Sequence, residues 1–357
     1  MNPTFIKTLD ARAPRGALGF LLLLFMAAVL AGCDGSTSYG RDTSAAEAIT
    51  VLEVQQDSDR LLRHLVSTPS LEMSTAVPLR INVLLPTGYA EFPEQRYPVL
   101  YALPGTSNTA HVWINNIDTV ELTAALPLII VIPDGTFDAD GGGFYTNWVD
   151  QTTSRGVANW ETFHTEELVA WVDSHFRTIA DRSGRAIVGI SQGGFGSMSY
   201  AARHPHTYGA AASFSGAVAI YYNPICRAGA VSLISAIMTG LNGVQPFAPF
   251  GDPVTNASNW ASRDPASIVS ALAETQVDIY TSTGIPGEAD IGDPAVAGTV
   301  AVEAILHASN QCFKQAAEEA GIDFGWHSYT QGTHAWHYGN RSLEDYLPRL
   351  MAYFAGD

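Results

Sequence analysis

Residues Ala186–Phe195 read AIVGISQGGF. The first five are apolar and rich in β-branched side chains, the pattern of a strand buried on both faces. From Gly193 to Arg203 the chain is rich in small residues and reads as a helix. Between them lies the chain's single G-x-S-x-G, Gly189-Ile190-Ser191-Gln192-Gly193. Strand, sharp turn and helix in that order form a nucleophile elbow. Its glycines are needed because side chains beside the serine would clash in so tight a turn. Ser191 is thereby held in a strained conformation with its hydroxyl above the sheet. The helix N-terminus, with its partial positive charge, faces the place where an oxyanion would develop.

Working outward, Pro98–Leu103 (PVLYAL) and Leu128–Ile132 (LIIVI) are further continuous apolar runs. Strands are also expected at Leu61–Val66, Leu79–Leu85, Ala210–Phe214, Val277–Tyr280 and Phe324–Tyr329. In Thr165–Phe176, Leu168, Trp171, Val172 and Phe176 share one helical face. A last helix is expected within Leu343–Phe354, with Pro348 in its first turn or kinking it. Alternating strands and helices predict a doubly wound α/β fold, a mostly parallel sheet with helices on both faces. After the sixth of these strands the alternation breaks down, from Gly216 to about Asp264. That insertion holds an apolar patch, Ala228–Leu241, suited either to wall a substrate pocket or to complete the core.

A serine hydroxyl needs a base to take its proton. In a nucleophile-elbow fold the partners follow in the order serine, acid, histidine. Of the later histidines, His204 and His206 fall at the far end of the elbow helix and are expected at the surface. His307 falls in an expected helix and His327 in an expected strand. His334 follows the last strand in a turn-rich loop, T-Q-G-T-H, where this arrangement delivers its base, with His337 in reserve.

The 357 residues are 46% apolar and 15% charged, enough for a large core. The net charge of −17, with Lys7 and Lys314 as the only lysines, argues against nucleic acid as a partner. Lys7, Arg12 and Arg15 precede an apolar run, Ala17–Leu30, too short for a typical membrane span and suited to a signal peptide. It ends in L-A-G-C, Leu30 to Cys33, which resembles the lipobox of bacterial lipoproteins. That resemblance implies a leader over 1–32, lipid attachment at Cys33 and an exported protein held in the cell envelope by its lipid alone. Residues 33–46 are small and polar, as in a tether, leaving 47–357 as a single domain. Cys226 and Cys312 then remain as an even pair in an oxidising compartment, open to a disulfide. No cysteine or histidine spacing suggests zinc, and no cofactor is expected.

Several further segments, in order, resemble the esterase D / mycolyltransferase family of α/β-hydrolases. They are PVLYALPGT, GFYTNW, WETFHTEELVAW, GISQGG, ARHPHTYGAAASFSG, FGDPVTNASNW and GTHAWHY. The resemblance runs from about Leu61 to the C-terminus and implies an α/β-hydrolase fold. It implies an oxyanion hole built from the amides of Thr106, in the L-P-G-T loop, and Gln192. It also implies an acid on a helix after the seventh strand, where V-E-A-I-L-H-A-S-N-Q-C-F places Glu303. Glu288, Asp290 and Asp293 compete, since many α/β-hydrolases carry the acid nearer that strand's end. Their loop is rich in glycine and proline and reads as an exposed turn, where carboxylates are solvated. Glu303 lies among apolar and small residues and would need a partner there. Mycolyltransferases carry an aspartate and an arginine around the L-x-G loop, where this chain has Pro104 and Ser107. A serine carboxylesterase acting on a small-molecule ester is therefore the first expectation. An acyltransferase and a non-catalytic envelope lipoprotein are the alternatives.

Overall fold

The structure is a computed structural model that describes residues 43–356, apart from 73–77, 139 and 241–243. The expected leader, Cys33 and most of the tether lie outside the described residues. The end of the tether, 43–46, instead belongs to a short helix, Thr43–Glu47.

Among the described residues nine strands form one sheet, in the order β1-β2-β3-β5-β4-β6-β7-β8-β9. They are β1 Thr50–Gln56, β2 Leu61–Ser67, β3 Leu79–Leu84, β4 Val99–Leu103, β5 Ile129–Pro133, β6 Arg185–Ile190, β7 Ala210–Phe214, β8 Gln276–Ser282 and β9 Gly325–Tyr329. The first three pair antiparallel, as do β3 and β5, and from β5 through β4 to β9 all pairs are parallel. All eight expected strands are present. The ninth, β1, escapes a reading by hydrophobic pattern because all seven of its residues are exposed. It is an edge strand held by its ladder to β2.

Successive residues of the central strands feed two cores. Tyr101, Leu103 and Ile187 face one side, where they meet Leu168, Trp171 and Met198. Leu100, Ala102, Ala186 and Val188 face the other, against Leu343, Tyr346 and Leu350. Burial on both faces explains why these strands read as unbroken apolar runs. Five helices matter for the site: α1 Leu168–His175, α2 Gln192–Arg203, α3 Pro224–Thr239, α4 Val296–Ala320 and α5 Trp336–Ala355. A helical turn at Trp160–Thr162 and a π-turn at Phe163–Glu167 precede α1, so helical structure begins earlier than the periodicity suggests. The wide π-turn buries His164 among Tyr145, Trp160 and Tyr200. Burial pushes the His164 pKa down to about 4, so the ring stays neutral at neutral pH.

Helix α5 starts seven residues before the expected Leu343, placing Pro348 in its interior rather than its first turn. Pro348 removes one i→i−4 bond, to Glu344. Both residues lie on the exposed face, where water can serve the freed carbonyl. Inside the insertion, α3 begins where Asn223 Oδ1 accepts from the amides of Ile225 and Cys226, both at 3.0 Å, with Pro224 in the first turn. Cys226 in that first turn is bonded to Cys312 on α4, with Cα atoms 6.6 Å apart. Among the described residues no helix is long and apolar enough to cross a membrane.

Candidate active site

Ser191 sits between β6 and α2 with φ 57° and ψ −121°, a left-handed conformation costly for a residue with a side chain. The turn is enforced on both sides. A Cβ on Gly189 would stand 2.0 Å from the Gly193 carbonyl oxygen, and one on Gly193 would stand 2.2 Å from that of Leu103. The Ser191 amide donates to Phe214 O at 2.9 Å, tying the elbow to the end of β7. The Ser191 carbonyl accepts from the amides of Gly194 and Phe195, at the start of α2.

Glu303 lies on α4 and is fully buried, as its apolar setting implies. Its Oε2 is 2.8 Å from His334 Nδ1. Its Oε1 accepts from Ser215 Oγ at 2.7 Å and from the Ser282 amide at 2.8 Å. Every contact fixes the carboxylate toward the histidine. The His334 amide in turn donates to Thr299 O on α4 at 3.1 Å. Ser191 and His334 line one cavity. Among the described residues no hydrogen bond joins the Ser191 hydroxyl to His334. Such contacts are commonly long without substrate and tighten around it.

Thr106 and Gln192 border the same cavity. Among the described residues no backbone carbonyl accepts from either amide. The Thr106 loop is braced by groups that sequence motifs alone did not single out. Tyr145 Oη donates to Pro104 O at 2.6 Å, and burial raises its pKa well above the usual range, so it remains a donor. Asn108 Nδ2 donates to Thr106 O at 2.6 Å. The Gln192 side chain bridges two loops, donating to Thr106 Oγ1 at 3.1 Å and accepting from the Phe144 amide at 3.3 Å. Phe144 and Tyr145 both have positive φ, 51° and 48°. The GFYTNW segment marks this brace in the sequence, but no local pattern gives its contacts.

The cavity has a volume of about 290 Å³. Its walls are apolar, with Phe144 and Phe250 on loops, Leu306 on α4 and Trp336 at the start of α5. Helix α3 contributes Ala230, Leu233, Ile234 and Ile237, so the described part of the Ala228–Leu241 patch walls this pocket, and through Ala230, Ile234 and Met238 it also completes the core. Leu241 lies outside the described residues.

The competing groups fall elsewhere. His204 pairs with Glu161 at 2.9 Å, His206 is exposed, and His327 pairs with Asp278 at 2.8 Å. His307 lies on α4 beside Thr281. Glu288 is exposed and Asp293 half-buried. The expectation of a solvated turn fails at Asp290, which is 2% exposed and lies 3.4 Å from His337 Nε2. Among the described residues no group of three or more His, Cys, Asp or Glu side chains could hold a metal ion.

A mostly parallel sheet carrying a strained serine after β6 and a histidine after β9 defines the α/β-hydrolase fold. Within that class the chain belongs to the Putative esterase family, whose model matches residues 73–350. It is 32% identical over 235 residues to Esterase Rv1288 of Mycobacterium tuberculosis, covering 58% of this chain and 50% of that protein. The chain thus spans about half the length of the first curated relatives it matches. It is 28% identical over 246 residues to diacylglycerol acyltransferase/mycolyltransferase Ag85B of Mycolicibacterium smegmatis, covering 67% of this chain and 71% of that one. Mycobacterium tuberculosis MPT51 shares the fold, with a TM-score of 0.62, 23% identity, and coverage of 81% of this chain and 97% of that one. An S-formylglutathione hydrolase from Agrobacterium tumefaciens does too, with a TM-score of 0.58, 18% identity, and coverage of 85% and 99%.

Proposed function

We propose that this protein is a serine carboxylesterase for esters with an apolar acyl group. The observation that carries the reading is the buried Glu303 carboxylate, bonded to His334 Nδ1 at the wall of the cavity that holds the strained Ser191. Ser191 Oγ attacks the ester carbonyl while His334 Nε2 takes its proton. The tetrahedral oxyanion forms against the amides of Thr106 and Gln192 and the N-terminus of α2. As it collapses, the C–O bond to the alcohol breaks and His334 returns the proton to the leaving oxygen. Water then attacks the acyl-enzyme by the same route in reverse, releasing the carboxylic acid and free Ser191. Glu303 orients the imidazole and stabilises its cationic form. No step requires a cofactor.

The cavity sets the acyl length. A water takes about 30 Å³ of liquid, and a methylene is of similar size. The space therefore suits an acyl chain of several carbons. Each methylene buried there is worth up to about 0.8 kcal/mol. With p-nitrophenyl esters of graded length, kcat/KM should climb from acetyl toward octanoyl by up to about fourfold per methylene, then level off or fall. A flat profile would remove the acyl role of the cavity, and no turnover of any ester by the folded protein would remove the esterase reading.

Acyl transfer is the second reading, favoured by the acyltransferase/mycolyltransferase relatives. Pro104 and Ser107 stand where the resemblance would put acceptor-holding charges. The same assay with an added sugar should accordingly give free acid as its main product, and a dominant sugar ester would reverse the order of the two readings.

We further propose export and anchoring through lipidated Cys33, supported by the L-A-G-C that ends the apolar run. Cys33→Ser should then move the protein from the membrane to the soluble fraction in a fractionation assay. A membrane-bound variant with an intact N-terminus would mean the apolar run itself is the anchor.

A further inference from the structure

Asp290 lies in the loop after β8, near the place where many α/β-hydrolases carry their acid, yet it does not touch His334. Its carboxylate is buried all the same and has four neighbours. Oδ1 accepts from Thr333 Oγ1 at 2.7 Å and lies 3.4 Å from His337 Nε2. Oδ2 accepts from Tyr338 Oη at 2.8 Å and from the Gly287 amide at 2.7 Å. Thr333 immediately precedes His334 and Tyr338 follows it by four residues, so one carboxylate grips the histidine segment from both sides.

The surrounding backbone reinforces this grip. The Gly284 amide donates to Gly332 O at 2.9 Å, and the Gly332 amide donates to Ile285 O at 2.6 Å. Gly332 has φ 147°, and a Cβ there would meet Ser282 Oγ at 2.5 Å and the Tyr338 ring at 2.9 Å. The loop after β8 and the segment bearing His334 are thus held edge to edge, and Asp290 is a buried carboxylate at their seam. Burial alone would raise its pKa. The Gly287 amide, the two hydroxyls and His337 outweigh that and hold it below the usual carboxylate range. A buried carboxylate whose donors all come from one seam fixes those donors in return, because any that moves leaves charge unsolvated.

We propose that Asp290 is a positioning residue for the reaction, setting the place of His334 through Thr333 and Tyr338 while Glu303 bonds the imidazole. The proposal rests on the esterase reading for its kinetic consequence but not for its geometric one. A misplacement on the order of 1 Å, made away from the reacting atoms, can cost about 10²-fold in rate.

Asp290→Ala should lower kcat on p-nitrophenyl butyrate by about 10- to 100-fold with KM within about twofold, while the protein stays folded by circular dichroism. Asp290→Asn keeps one acceptor oxygen and should recover a large part of the loss. Thr333→Val and Tyr338→Phe each remove one donor and should fall between wild type and Asp290→Ala, keeping the idea testable if that variant folds poorly. The acidic limb of the kcat/KM profile should stay in place throughout, since Asp290 does not contact the imidazole. A readout free of turnover is the low-field NMR signal of the His334 Nδ1 proton bonded to Glu303. It should persist in wild type and Asp290→Asn and broaden or vanish in Asp290→Ala. An unchanged signal in Asp290→Ala would overturn the proposal even if wild type proved inert on esters, and so would an unchanged kcat on an active enzyme. Loss in Asp290→Asn as deep as in Asp290→Ala, with a displaced acidic limb, would make the charge itself the acting group and overturn it as well.

Discussion

Ser191→Ala should abolish ester hydrolysis, by on the order of 10³-fold or more in kcat, and leave the fold intact. The loss follows from the chemistry, since alanine offers no atom to form the acyl-enzyme. The preserved fold follows from the elbow. Its geometry is imposed by the approach of Gly189 to Gly193 and of Gly193 to Leu103 O, not by the hydroxyl. The Ser191 backbone bonds to Phe214, Gly194 and Phe195 also survive the change. Alanine keeps the Cβ, so the positive φ is no more strained than before. What remains should be the modest acceleration supplied by binding and by the amides of Thr106 and Gln192. Covalent labelling by a fluorophosphonate should disappear together with turnover, while the thermal midpoint stays close to that of wild type. Turnover of wild-type size in Ser191→Ala would end the serine-hydrolase reading, whatever the state of His334.

The central strands were legible in the sequence because they are buried on both faces. AIVGI, PVLYAL and LIIVI have no polar position to break the run, and each lies where expected. Edge strand β1 was not legible, because TVLEVQQ is exposed along its whole length and no burial pattern shaped it. Helix starts were legible only in part. The turn at Trp160 and the π-turn after it depart from the 3.6-residue period, and the first turns of α5 were hidden behind Pro348. At the site, Ser191 could be read from its flanking glycines and His334 from the loop after the last strand. The acid could not be read from local pattern alone. Glu303 and Asp290 are both buried carboxylates, and the difference between them is a direction in space. Glu303 reaches the imidazole from a helix 31 residues earlier, while Asp290 reaches the residues on either side. The brace formed by Tyr145, Asn108 and the Gln192 side chain is likewise a matter of tertiary contact.

Glu303→Gln is the variant that separates the two carboxylates. Glu303 holds three groups at once, the Ser215 hydroxyl, the Ser282 amide and His334 Nδ1. A glutamine of the same shape can keep its oxygen toward Ser215 and Ser282, so the fold should survive. Its NH2 group then faces His334 Nδ1 and must donate where the carboxylate accepted. That places the imidazole proton on Nε2, the nitrogen that should receive the proton of Ser191, and removes the charge that stabilises the imidazolium. Replacement of an acid by its amide at this position in a serine triad costs about 10⁴-fold in kcat, and a loss of about 10³- to 10⁴-fold is expected here. The stopped assay on p-nitrophenyl butyrate should show this as a fall in kcat with little change in KM. Asp290→Asn should retain far more activity, because its oxygen can still accept from Tyr338 and Gly287 while its NH2 donates to the Thr333 hydroxyl. The opposite order, with Glu303→Gln active and Asp290→Asn dead, would move the acid to the loop after β8 and leave the Glu303–His334 bond as a packing contact.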